Sequence, residues 1–279
     1  MTGFDGSNSA KAGGEDSLIA QRNRSDEGVT TLELKLELKA AADKYTYSDT
    51  TSLGNRRKAT QIEALFNEFL PSLANGAEVL EIGPGRGEFA LECQKRRLGY
   101  TGVEPSNDLR TKLEEVGYRV INQVVPPIRL ESNQFELIHS YHFVEHLGSY
   151  AEVMLFFEEA FRVLKPGGYI SVIAPNYLTL GSLFFRYEYQ HTYITTEDRL
   201  RNMLSDCGFE VVRSRSYFIW LSPGLNWVDR LLAHTAIPIL RNPMIESFIT
   251  ALTSKKMLFR IHKNIFDSVA VLGQRPKAS

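Results

Sequence analysis

The sequence predicts an α/β protein in which helices cover both faces of a parallel sheet. Two observations predict it: apolar strand-like segments alternate with amphipathic helix-like segments, and a glycine-rich turn joins the first such pair. Seven strands are predicted, near residues 78–82, 100–104, 119–121, 135–140, 169–174, 209–214 and 266–272. The predicted helices lie near 88–97, 107–116 and 151–164, and another opens at Thr195-Thr196 and closes at Gly208.

Composition limits the class of protein and its partners. The chain has 279 residues, 43% of them hydrophobic, which suffices for one large domain with a core. Its net charge of −1 argues against a nucleic-acid partner. The N-terminus shows no basic region followed by an apolar core, so no signal peptide is expected. The uncharged run 166–185 contains two prolines and overlaps a strand, so a cytoplasmic protein is predicted.

Three regions are predicted along the chain. Residues 1–30 are rich in Gly, Ser and Asn and should form a disordered tail. Residues 31–75 form an N-terminal helical or strand segment that precedes the main domain. Within it, Leu32–Lys39 alternates leucine with charged residues, which fits an edge strand or a helix. An edge strand would allow a homodimer to form. Residues 76–279 form the main domain, with an insertion at about 218–264. That insertion is predicted to be a helical cap, with a substrate lid and then shallow membrane contact as less favoured alternatives.

The first strand runs directly into the glycine-rich turn. It ends in Glu81, and Gly83, Gly85 and Gly87 follow at alternate positions. Glycine accepts positive φ and lets a ligand approach the backbone closely. The dinucleotide fingerprint needs a small residue where Glu88 stands, and no Gly-Lys-Ser/Thr of a phosphate loop follows. The turn therefore indicates a nucleotide-like cofactor of another kind.

Three further motifs follow in order. Glu104 comes 21 residues after Gly83 at the end of the second strand, where a carboxylate can accept hydrogen bonds from two ribose hydroxyls. A strand pattern over residues 133–140 then runs into Val144-Glu145-His146-Leu147, and the phrase Arg-Val-Leu-Lys-Pro-Gly-Gly occupies residues 162–168. With these four motifs, residues 54–218 resemble the class I S-adenosylmethionine-dependent methyltransferases, in their small-molecule branch (similar to the enzymes of ubiquinone and menaquinone biosynthesis).

The resemblance implies a fold, a cofactor and a set of binding residues. The fold would be Rossmann-like, with a mostly parallel seven-stranded sheet, an antiparallel last strand and a helical insertion between strands six and seven. The cofactor would be S-adenosylmethionine. Its binding residues would be Glu81, Gly83, Gly85, Gly87, Glu104, Pro105, Asn122, Ser140 and Tyr141. Family members often have an acidic residue where Asn122 stands.

Histidines near the fourth and fifth strands are the candidate catalytic groups. We expect His142 to act as the general base, with His191 as the second choice. If a helix starts after the fourth strand, His142 and His146 share one of its faces, and Glu145 adds a carboxylate. The sequence fixes no further ligand, so no metal is predicted.

The function predicted from these residues is methylation, with an oxygen of a small-molecule, sugar or lipid-linked acceptor as the target. Nucleic-acid methylation is disfavoured because the Asn/Asp-Pro-Pro-aromatic motif is missing after the fourth strand, where His139-Ser140-Tyr141-His142 stands. A non-catalytic, cofactor-binding subunit that regulates or scaffolds a partner is the alternative. A dehydrogenase is the third hypothesis.

Overall fold

A computed structural model describes residues 52–186, 190–218 and 267–278, together with isolated positions between 231 and 251. The predicted tail at 1–30 and the alternating segment Leu32–Lys39 lie outside the described residues. Most of the insertion at 218–264 does so too, although its described positions between 231 and 251 are almost all helical.

The sheet has seven strands, in the order β3-β2-β1-β4-β5-β7-β6. Strands β1 to β5 run parallel, whereas β7 lies antiparallel between β5 and β6. This confirms the predicted mostly parallel sheet with an antiparallel last strand. The strands are β1 (Glu78–Ile82), β2 (Gly99–Val103), β3 (Arg119–Ile121), β4 (Phe135–Tyr141), β5 (Leu164–Pro175), β6 (Glu210–Phe218) and β7 (Asp267–Gln274).

Seven α-helices accompany these strands in the described part of the chain: α1 (Ser52–Ala64), α2 (Glu88–Lys95), α3 (Asn107–Glu115), α4 (Tyr150–Val163), α5 (Tyr177–Leu180), α6 (Leu183–Arg186) and α7 (Glu197–Asp206). One π-helical turn, Leu65–Phe69, prolongs α1. The predicted cap of α7 is confirmed, since the Thr196 hydroxyl accepts a hydrogen bond from the Arg199 amide at 3.3 Å. None of these described helices combines the length and apolar character needed to cross a bilayer.

Side chains alternate between the two faces of the sheet, and helices cover both. Leu80 and Ile82 point to the face that packs on α4 and α7, whereas Val79 points to the face that packs on α1 and α2. Helices α4 and α7 contribute Phe156 and Leu200, both fully buried. The predicted arrangement of helices on both faces is therefore confirmed.

The fifth strand starts earlier than predicted. It begins at Leu164 rather than at residue 169, because the Lys-Pro-Gly-Gly phrase forms an irregularity inside the strand instead of a separate turn. The register with β4 shifts between Phe135 and Leu137, opposite this phrase, and Gly167 has a φ of +82°. Glycine accommodates such a bulge without a steric penalty.

Candidate active site

The predicted cofactor-binding residues follow strands that end at the same level. Ile82 of β1 is paired with Val103 of β2 and with Ser140 of β4, and Val103 is paired with Ile121 of β3. The residues that come next along each strand therefore meet at the carboxyl edge of the sheet: Gly83, Glu104, Asn122 and Tyr141. In open α/β sheets this edge is where ligands bind.

The glycine turn leaves open space in front of the first strand. Gly83, Gly85 and Gly87 all have positive φ, at 71°, 55° and 82°. A methyl group built on Gly83 would meet no atom within 4 Å, whereas one on Gly87 would lie 2.5 Å from the side chain of Leu113. Gly87 thus lets the turn pack closely on α3, and Gly83 faces a space that a ligand can fill.

Glu81 is a buried carboxyl beside this space. The Tyr100 hydroxyl donates a hydrogen bond to Glu81 Oε2 at 2.7 Å. The pKa of Glu81 is raised to about 8, mainly by burial; Glu88 and Glu104 also act to raise it, whereas the hydrogen bond from Tyr100 and the charge of Lys58 act to lower it. The carboxyl is therefore largely protonated at neutral pH, and a cation bound beside it would favour its ionised form.

The other predicted contacts differ in burial. Glu104 is buried, and its Oε1 accepts a hydrogen bond from the Ser106 amide at 2.9 Å, which fixes the carboxylate's orientation. Pro105 is half-buried and Asn122 is exposed. Ser140 is fully buried, and its hydroxyl has no hydrogen-bond partner among the described residues. A buried hydroxyl of this kind is available to a ligand.

Helix α1 supplies a cation that sequence reasoning missed. The Lys58 ammonium lies 3.2 Å from the centroid of the Tyr141 ring, a cation–π contact. It brings α1 against the end of β4, beside the predicted cofactor residues. No motif in the sequence around Lys58 marks it as a site residue.

His139 is a second group that sequence reasoning did not select. It is fully buried, its ring stacks on Phe89 at 4.1 Å, and its Nδ1 lies 3.2 Å from the Ser171 hydroxyl. Burial, with a smaller effect of Lys58, lowers the pKa of His139 to about 3. The ring is thus neutral at physiological pH and forms part of the wall next to Glu81, its neighbour across the sheet.

The structure corrects the expected helix after β4. Only one 3₁₀ turn, Val144–His146, forms there, and His142 has a φ of +54°, which no right-handed helix allows. His142 and His146 therefore do not share a helical face. Instead, His142 Nδ1 lies 3.1 Å from Glu145 Oε1, and its Nε2 lies 3.3 Å from the Ser268 hydroxyl at the start of β7.

His191, the second predicted base, lies in a different environment. It is buried, and its Nδ1 donates a hydrogen bond to the Phe184 carbonyl at 2.8 Å. Its ring centroid is 5.1 Å from that of His146. Segment 190–196 thus brings His191 to the turn that follows β4. The neighbouring Tyr187 and Tyr189 lie outside the described residues.

Comparison with known proteins identifies one matching family, described as a methyltransferase domain, which matches residues 54–214. No curated protein sequence matches the chain.

Many solved structures share the fold. A SAM-dependent methyltransferase from Archaeoglobus fulgidus is 19% identical, with a TM-score of 0.53, over 77% of this chain and 94% of that one. Phosphoethanolamine N-methyltransferase 2 from Haemonchus contortus, solved with phosphomonomethylethanolamine and S-adenosylhomocysteine, is 17% identical, with a TM-score of 0.54, over 78% of this chain and 52% of that one. A chain of the complex between the Haloferax volcanii Trm112 methyltransferase activator and its methyltransferase is 14% identical, with a TM-score of 0.56, over 86% of this chain and 98% of that one.

Proposed function

Because this chain belongs to the methyltransferase-domain family, we propose that it transfers a methyl group from S-adenosylmethionine to a hydroxyl oxygen of a small-molecule acceptor. The open space at Gly83, beside the buried carboxyls of Glu81 and Glu104, is the observation that carries the proposal. The cofactor supplies an electrophilic methyl group on a sulfonium sulfur. The protein's task is then to orient both reactants and to exclude water.

The residues at the sheet edge suit the parts of this cofactor. Glu104 would accept hydrogen bonds from the two ribose hydroxyls, because its carboxylate is already oriented by the Ser106 amide. Glu81 and the amides around Gly83 and Gly85 would hold the positively charged methionine end. Asn122, which follows β3, would bind the adenine through its side-chain amide. Pro105, Ser140 and Tyr141 would complete the walls.

His142 is suited to take the acceptor's proton. The Glu145 carboxylate beside Nδ1 favours the tautomer with the proton on that nitrogen, so Nε2 carries the lone pair. The same carboxylate stabilises the imidazolium that forms when Nε2 accepts a proton. Nε2 lies near Ser268, at the sheet edge that holds the cofactor residues, so the proton acceptor and the methyl donor would be neighbours.

Aromatic rings after β5 suggest the chemistry of the acceptor. The Tyr177 ring centroid lies 5.7 Å from that of Phe184 and 6.0 Å from that of Phe185. Phe184 is buried in this group, whereas Tyr177 is half-buried and Phe185 is exposed, so these two rings offer the surface on which an apolar or aromatic acceptor can stack. We therefore favour a phenol or a hydroxylated ring over a purely polar substrate, with sugars and lipid-linked acceptors as the next classes.

The decisive experiment follows S-adenosylhomocysteine release while the protein is incubated with S-adenosylmethionine and matched panels of acceptors. One panel contains phenols, sugars and lipid-linked alcohols, and a second contains amines of similar shape. We expect turnover with the hydroxyl panel. Tight cofactor binding without turnover on either panel would instead support the non-catalytic subunit. Binding of a nicotinamide nucleotide in place of S-adenosylmethionine would support the dehydrogenase.

Glu104→Gln should weaken cofactor binding several-fold. The amide keeps the shape and one acceptor oxygen but loses the charge that strengthens the ribose hydrogen bonds, a difference of about 0.5–1.5 kcal/mol. Calorimetric titration with S-adenosylmethionine measures it, and Glu114→Gln on the adjacent helix α3 is the control, because Glu114 is exposed and pairs with Arg110. Equal affinities of wild type and Glu104→Gln would refute the ribose assignment.

Cofactor affinity should also depend on pH through Glu81. The carboxyl is protonated below its pKa of about 8, and a bound cation favours the carboxylate, so binding releases a proton. Affinity should therefore rise from pH 7 to pH 8, by tenfold per unit at most, and level off above that. Titrations in buffers of different ionisation enthalpy measure the released proton. Glu81→Gln should abolish the proton release that comes from Glu81, and any pH dependence that remains in the variant belongs to the ligand. If the variant released as many protons on binding as the wild type, the assignment to Glu81 would be contradicted.

A further inference from the structure

Three side chains with metal-binding chemistry converge next to the proposed base. One ligand atom from each of Glu145, His146 and His191 lies within 4.8 Å of the others. Two of these residues come from the 3₁₀ turn after β4, and the third comes from the segment between β5 and α7. His191 thus adds a third group with metal-binding chemistry, which sequence spacing could not identify.

Backbone hydrogen bonds hold the two segments together on either side of the cluster. The amides of Thr192 and Tyr193 both donate to the Glu145 carbonyl, at 2.8 and 3.0 Å. The Thr192 hydroxyl donates to the Leu147 carbonyl at 2.7 Å. The three side chains are therefore positioned by the fold itself, as a preorganised binding site requires.

Both imidazoles are in the tautomer that metal ligands use. His146 Nδ1 lies 3.4 Å from the Gln190 carbonyl, and His191 Nδ1 lies 2.8 Å from the Phe184 carbonyl. A carbonyl oxygen only accepts hydrogen bonds, so in each neutral ring Nδ1 carries the proton and Nε2 carries the lone pair. Metal-binding histidines typically donate their second nitrogen to a carbonyl or carboxylate in this way.

The carboxylate of Glu145 is fully buried. Burying a carboxylate costs free energy unless opposite charge compensates it. His142 Nδ1 lies 3.1 Å from Oε1, and a cation bound by the carboxylate would compensate its charge further. Two imidazoles and one carboxylate suit zinc and similar transition metals, whereas calcium and magnesium prefer oxygen ligands throughout.

We propose that Glu145, His146 and His191 bind one divalent transition-metal ion, for which Zn²⁺ is the best match, and that a hydroxyl of the methyl acceptor occupies its open coordination position. The part concerning the acceptor rests on the proposed function; the metal site itself does not. Three protein ligands leave such a position open, as in catalytic zinc sites. The cluster follows β4 and β5 at the sheet edge that carries the cofactor residues. A metal there would lower the pKa of the bound hydroxyl, so that the hydroxyl would give its proton more readily to the neighbouring His142.

The test is a titration of the chelator-treated, full-length protein with Co²⁺, followed by visible absorption. We expect the strong d–d bands of four- or five-coordinate Co²⁺, saturating at one ion per chain. His191→Ala and Glu145→Gln should weaken binding by about 100-fold or more. His191→Cys should restore it, with an added thiolate-to-metal charge-transfer band. Glu158→Gln, a change of the same kind at an exposed position of α4, should bind like the wild type.

Two results would overturn the proposal: a protein without visible Co²⁺ bands, or equal Co²⁺ affinity in the wild type, His191→Ala and Glu145→Gln. Circular dichroism confirms that the variants fold, and S-adenosylmethionine affinity is measured on the same samples. Failure of the metal site would leave cofactor binding intact. Failure of the methyltransferase proposal would leave Co²⁺ binding intact, so the two failures are distinguishable.

Discussion

His142→Asn should lower kcat by about 10²–10⁴-fold, the contribution expected of a general base, while S-adenosylmethionine affinity stays close to that of the wild type. Asparagine is the appropriate replacement because it tolerates the left-handed backbone that His142 adopts, with its φ of +54°. The backbone at the end of β4 is thereby preserved. The asparagine amide can form hydrogen bonds but cannot accept the proton. The variant therefore measures the loss of proton transfer without a change in the local backbone.

Three measurements make this result specific. Steady-state kinetics should show the loss in kcat rather than in the KM for the cofactor. Added imidazole should restore part of the activity of His142→Ala, which leaves a cavity, and much less of His142→Asn. The wild-type pH–rate profile should rise through the pKa of the base, and this limb should be missing in the variant. Full activity of His142→Asn at all pH values would remove His142 as the base.

Gly83→Ala should weaken S-adenosylmethionine binding by about 1–3 kcal/mol, the usual cost of overfilling a packed site, or roughly 5- to 150-fold in affinity. The added methyl group meets no protein atom within 4 Å, so the protein itself has room for it. The lost affinity would then come from the ligand, whose space the methyl group takes. Isothermal titration with S-adenosylmethionine measures the change.

Gly76→Ala is the matched control for this variant. Gly76 has a φ of +78°, close to the +71° of Gly83, and a methyl group there also meets no atom within 4 Å. It precedes β1, at the opposite edge of the sheet. Both variants should therefore lose a similar amount of stability, about 1–2 kcal/mol from left-handed alanine, and only Gly83→Ala should lose affinity. Equal affinity in the two would show that no ligand approaches the backbone at Gly83.

The sheet could be predicted from the sequence because parallel strands buried on both faces appear as continuous apolar runs. Even the three-residue strand β3 lies where the pattern predicts it, at Arg119–Ile121. The predicted start of β5 was wrong, because a glycine such as Gly167 normally indicates a turn, whereas here it forms an irregularity within a strand. A local pattern cannot show that the strand continues beyond such a glycine.

Some positions of the candidate site could likewise be predicted from the sequence, and others could not. Positions in the glycine turn and at the ends of β1 and β2 could be predicted, since local chain geometry brings them to the sheet edge. The environment of His142 could not, because nothing in a histidine's neighbours predicts a positive φ. Nor could the approach of His191 to within 4.8 Å of Glu145, which depends on backbone hydrogen bonds from Thr192 and Tyr193, because backbone groups are the same for every sequence.

The hairpin formed by the last two strands has a consequence for engineering. Phe218, the last residue of β6, is paired with Asp267, the first residue of β7, and Ser268 is paired with Pro175 at the carboxyl end of β5. Residues 219–266 thus leave and rejoin the sheet at adjacent points, on the edge where acceptor and base would meet. An exchange of residues 219–266 between family members would therefore interrupt neither β6 nor β7. Chimeras grafted at these two points would test whether residues 219–266 influence the choice of acceptor, with the cofactor-binding half of the sheet left unchanged.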